Sequence, residues 1–87
     1  MNQPSLPKVE HFDLDIDTSK MMNVTVQTKY TNEPTETLRK QLSDAGLHIT
    51  HMIRGTSHTF VGYTQGLDSL RSLPFVSLVY ESLVFSG

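Results

Sequence analysis

The stretch Pro34-Thr35-Glu36-Thr37-Leu38-Arg39-Lys40-Gln41-Leu42-Ser43-Asp44-Ala45-Gly46-Leu47-His48-Ile49 changes period part-way along, and that change decides the fold. Asn32-Glu33-Pro34-Thr35 reads as a helix entry, because proline lacks only a donor that the first helical turn leaves unused. Leu38, Leu42 and Ala45 then recur at helical spacing, with Arg39 and Lys40 on the outer side. The spacing predicts a helix over 34–45, closed by Gly46 in a left-handed conformation. Past the glycine the period drops to two. On a regular strand Leu47, Ile49 and His51 face one way and His48, Thr50 and Met52 the other, with Ile53 closing the run.

Working outward toward the C-terminus, Arg54-Gly55-Thr56-Ser57 is a turn and Thr59–Tyr63 a second β-rich run, so residues 47–63 read as a hairpin. Gly62 inside that run points to a bulge or a close backbone neighbour. Gly66–Leu73 supplies a short helix with Leu67, Leu70 and Leu73 on its buried side, ended by Pro74, and Phe75–Phe85 is a last apolar strand with a tail. Toward the N-terminus, Asn23–Thr28 is β-branched and alternating, with Val24 and Val26 inward. Phe12, Leu14 and Ile16 alternate with Asp13, Asp15 and Asp17 before a turn at Thr18-Ser19-Lys20. That segment is either an edge strand with its acidic side in water or a loose acidic arm.

The expected class is therefore α+β, in the ferredoxin-like order β-α-β-β-α-β: a four-stranded antiparallel sheet with two helices on one face, and an added N-terminal edge strand or arm. Residues 1–20 form that arm and 21–87 a single domain. A chain of 87 residues has room for one modest core and no separate catalytic domain.

Composition excludes several classes of function. With formal net charge −2 and pI near 6.0, no field draws the chain to nucleic acid or an anionic membrane. There is no cysteine, hence no disulfide frame, thiolate nucleophile or zinc–thiolate site. The start, Met1–Pro7, has neither the basic nor the apolar region of a secretory signal, and no apolar run approaches the roughly 20 residues of a membrane helix. A cytoplasmic location is expected, an extracellular one only after processing. His48 and His51, three apart on a regular strand, lie on opposite faces and cannot chelate one ion together, so no metal is expected. Asp13-x-Asp15-x-Asp17 imitates the start of a calcium loop, but Thr18 and Val24 stand where that loop needs glycine and glutamate. No Gly-x-Ser-x-Gly elbow, P-loop or dinucleotide fingerprint occurs, and no cofactor is expected. Phe60 and Tyr63 have the wrong spacing to form one base-stacking face. The expectation is a binding module, not an enzyme.

Val24-Thr25-Val26, Leu38 through Gly46, Ile49, Phe60-Val61-Gly62, Leu67, Leu70 and above all Leu73-Pro74-Phe75-Val76-Ser77-Leu78-Val79-Tyr80-Glu81 resemble the inhibitor I9 family. That family comprises the prosegments of subtilisin-like serine proteases and their free-standing relatives, inhibitors and intramolecular folding chaperones. The resemblance implies a protein monomeric when free, whose open sheet face docks on two surface helices of the protease and whose tail lies substrate-like in its cleft. Glu81 matches a residue that caps those helices, and Ser82 replaces the family's second acid while keeping an acceptor. Leu83, Val84, Phe85, Ser86 and Gly87 would be the cleft contacts, with Phe85, or Val84 if Gly87 fills the primary pocket, in the distal apolar pocket. The family's large terminal residue is missing. The alternative is a non-catalytic, ACT-like regulatory or dimerisation module binding a small ligand or protein partner, against which stands the lack of glycine in Lys29–Glu33.

Overall fold

The computed structural model describes residues 8–55 and 57–82. Their order is β1 Lys8–His11, β2 Met22–Thr28, α1 Thr35–Asp44, β3 His48–Arg54, β4 Thr59–Thr64, α2 Asp68–Arg71 and β5 Val76–Glu81. The fold is α+β: two helices and one antiparallel sheet of five strands, in the order β1-β3-β4-β2-β5. The expected four strands become five because the N-terminal segment pairs, but not where its alternation suggested. The ladder runs from Lys8 to His11, followed by one more bond from the Phe12 N–H to the Thr50 carbonyl at 2.8 Å. Phe12 then turns under the Arg39 guanidinium, 4.7 Å from its ring, and Leu14 follows it toward α1. Phe12 and Leu14 are half-buried without forming a strand, Ile16 is exposed, and Asp13, Asp15 and Asp17 all stand in water.

The helix lies where the period places it. Leu38 and Leu42 are buried, and the terminus closes through bonds from Leu47 N–H to Leu42 O and from Gly46 N–H to Ser43 O, both 3.0 Å. This is the glycine-centred helix stop, with Gly46 at φ 103°. α2 is shorter than the sequence implied, four residues that bury Leu70. The core forms between the helices and one sheet face, from Val24, Val26, Leu38, Leu42, Leu47, Ile49, Met52, Phe60, Leu70 and Val79.

The burial of Met52 corrects the expected facing of β3. Ile49 pairs with Gly62 but His51 with Val61, so Thr50 is an extra residue without an opposite number. This β-bulge reverses the parity of everything after it. Ile49 and Met52 both face the core, and His48 and His51, expected on opposite faces, share the other. Thr50 Oγ1 secures the bulge by donating to the Val61 carbonyl at 3.1 Å, with His51 Nδ1 2.9 Å away. Gly62 is the residue that admits it. A Cβ there would lie 2.8 Å from the carbonyl carbon of His48, 2.9 Å from the Ile49 Cα and closer still to the His48 oxygen.

At the far end of the β2–β4 ladder, buried Thr28 uses its hydroxyl twice, donating to the His58 carbonyl at 2.8 Å and accepting from the His58 N–H at 3.0 Å. Replacing it with valine keeps the shape and leaves the His58 N–H without its acceptor, while the His58 carbonyl keeps its bond from the Thr28 N–H at 3.0 Å. Thr28→Val should lower unfolding stability by about 1–2 kcal/mol in a urea titration.

Candidate functional site

Alternation and the registers together define the sheet face that carries no helix. β4 contributes Thr59, Val61 and Tyr63, opposite Gln27, Thr25 and Asn23 of β2. β3 adds His48, His51 and Ile53, and β1 adds Val9 and His11 opposite Ile53 and His51. On the other flank β5 places Tyr80 beside Thr25 and Leu78 beside Gln27. No Asp, Glu, Lys or Arg occurs among these residues. The charged side chains of the ladders lie on the helix-bearing side: Glu10 opposite Met52, Glu81 opposite Val24, and Arg54, which meets Glu10 at 2.7 Å. Strand spacing and rise make the uncharged face roughly 20 Å across and roughly 15 Å along the strands. An uncharged face of that extent, with Val9, Leu78 and Tyr80 at 58%, 51% and 41% exposure, is of the kind that marks interaction sites.

The titratable groups on this face are histidines and tyrosines. The His11 and His51 rings meet edge to face at 4.7 Å between centroids, and His11 Nδ1 lies 3.6 Å from Asp13 Oδ1. Among the described residues no three His, Cys, Asp or Glu side chains are grouped so as to hold a metal ion. His58 lies on the β3–β4 turn, and among the described residues its buried Nδ1 has no hydrogen-bond partner. The Ser19 backbone N–H, 2.9 Å from Asp17 Oδ1, holds the Asp17 carboxyl below the ordinary aspartate value.

No family model matches the sequence, and no curated protein or solved structure matches it significantly.

The two expected capping residues separate. Glu81 is exposed and pairs with Val24, so it points to the helix-bearing side. Ser82 lies toward the uncharged face, its hydroxyl 2.6 Å from Thr25 Oγ1 and its N–H bonded to the Asn23 carbonyl at 2.8 Å. Leu83, Val84, Phe85, Ser86 and Gly87 lie outside the described residues. A different concavity, a groove of about 660 Å³, runs between α1 and the segment after β1, with Leu47 and Ile49 at its floor, Phe12 and Leu14 on one wall and Lys40 and Asp44 on the other. No helix among the described residues is long and apolar enough to cross a membrane.

Sequence reasoning named the open face in general and missed its members. Sorting charged residues by strand parity would have exposed the lack of charge in β2, β4 and β5. In β3 the bulge defeats that sorting, and in β1 the wrong strand position does.

Proposed function

We propose that the chain is a non-catalytic, propeptide-like inhibitor of a subtilisin-like serine protease, its uncharged sheet face docking on the enzyme and its C-terminal tail lying substrate-like in the cleft. The observation that carries this reading is the charge-free face, continuous from β1 to β5 and rimmed by Leu78 and Tyr80. A face without charges desolvates cheaply against a partner, since no ion loses its hydration. The connections support the same reading. β2-α1-β3-β4-α2-β5 with sheet order β3-β4-β2-β5 supports a ferredoxin-like reading of these elements, with β1 as an added edge. β5 lies in the docking face and leads directly into the tail. Of the two capping groups, Ser82 is the one aimed toward the partner; Glu81 reaches it only around the strand edge.

The test is a titration of subtilisin-type protease activity. Full-length chain should inhibit at substoichiometric to equimolar ratios, and removal of Val84–Gly87 should abolish the effect with an unchanged far-UV spectrum. Undiminished protease activity at micromolar protein defeats the proposal. The groove beside α1 has a volume typical of small-ligand sites and favours the ACT-like alternative, a regulatory module. That alternative predicts a ligand-dependent melting shift and indifference to loss of the tail.

A further inference from the structure

β5 ends the sheet, and its outer edge pairs with nothing among the described residues. The bond from Ser82 N–H to Asn23 O, with the register Thr25↔Tyr80 and Gln27↔Leu78, fixes which main-chain groups face β2. In an antiparallel ladder alternate residues bond to the same neighbour. Leu78, Tyr80 and Ser82 therefore turn their N–H and C=O groups inward, and Val79 and Glu81 turn theirs to the open edge. Sheet edges are usually blunted by lysine, proline or a bulge. β5 has a bulge only at its start, where Thr28 pairs with Val76 and Ser77 is left over, and a charge only at its end, in Glu81. Between them Leu78-Val79-Tyr80 is unprotected, with Leu78 and Tyr80 half exposed at the rim.

This edge is complementary to itself. Two antiparallel copies centred on Val79 exchange main-chain bonds between the two Val79 residues, whose N–H and C=O groups both point outward. In that register Leu78 of each copy stands opposite Tyr80 of the other, at the non-hydrogen-bonded positions where side chains approach most closely. Glu81 meets Ser77 rather than a second glutamate, so no like charges oppose each other. We infer that β5 pairs with the β5 edge of a second copy of this chain, joining two five-stranded sheets into one ten-stranded sheet with a continuous uncharged face. The free chain is then in monomer–dimer exchange rather than purely monomeric, as the family resemblance implied. The bulge at Ser77 keeps the seam short, which places the dimer among weak, transient contacts with a dissociation constant on the order of 100 µM.

Sedimentation velocity across concentrations from about 10 µM to about 1 mM should show a concentration-dependent shift from monomer to dimer mass. Tyr80→Lys, which sets a charge against the partner's Leu78, should hold the chain monomeric throughout that range with an unchanged far-UV spectrum. Register is read separately, because the chain has no cysteine of its own. On mixing Leu78→Cys and Tyr80→Cys chains under mild oxidation, the mixed disulfide should form several-fold in excess of its statistical share. A wild-type chain still monomeric at about 1 mM, or a statistical disulfide distribution, overturns the inference. The inference does not depend on protease inhibition. Removing Val84–Gly87, expected to end inhibition, should leave self-association intact, so the two failures are distinguishable.

Discussion

Gly62→Ala should cost about 3 kcal/mol or more of folding stability, a large share of what a domain of this size possesses. The added methyl meets backbone, not a flexible side chain: the His48 carbonyl group and the Ile49 Cα occupy its place. Relief would require β3 to move away from β4, breaking the bulge that turns Ile49 and Met52 together into the core. The melting temperature should fall by at least about 12 °C, given the usual conversion for small domains. Gly66→Ala is the control, since nothing lies within 4 Å of a Cβ there and its melting temperature should hold or rise slightly. Equal melting temperatures for the two variants would mean that the β3–β4 approach is looser than described.

Val61→Lys should weaken protease inhibition by at least about 100-fold, corresponding to about 2.7 kcal/mol. Val61 lies at the middle of the uncharged face, with Thr25 on one side and His51 on the other. A lysine there must lose its hydration if the face docks, with no acid among the described residues paired with position 61 to receive it. In the free chain its long side chain can reach water, so the unfolding midpoint should change little. Inhibition constants for wild type, Val61→Lys and the exposed loop variant Glu33→Lys decide the matter. A loss confined to Val61→Lys places docking on this face; equal inhibition by all three leaves the face without that role.

Much of the fold is legible in the sequence because it depends on local periodicity. Leu38 and Leu42 at helical spacing, Gly46 after them, and Val24 and Val26 in alternation each meet a requirement that neighbours in the chain impose. Gly62 announced a close backbone neighbour, and one is there. The N-terminal strand was placed four residues late because the alternation of Phe12, Leu14 and Ile16 reflects packing toward α1 for the first two and a ladder for none. Of the candidate site, Glu81 and Ser82 could be named, but not their separation onto two sides of the sheet. Which side each takes follows from pairing with Val24 and from the bond to Thr25, both long-range in sequence.

The uncharged face shows where the division falls. By itself the sequence determined an α+β chain whose strands alternate, since a half-buried strand has period two and its neighbours in sequence must obey it. Tertiary structure alone decided that His48 and His51 share a face with His11, Val61 and Tyr80. One unpaired residue, Thr50, reverses the parity of β3, and it is tolerated because a glycine on the next strand leaves room for the displaced backbone. A period-two pattern has no memory across a bulge, so only the register against β4 could tell which side chains look outward.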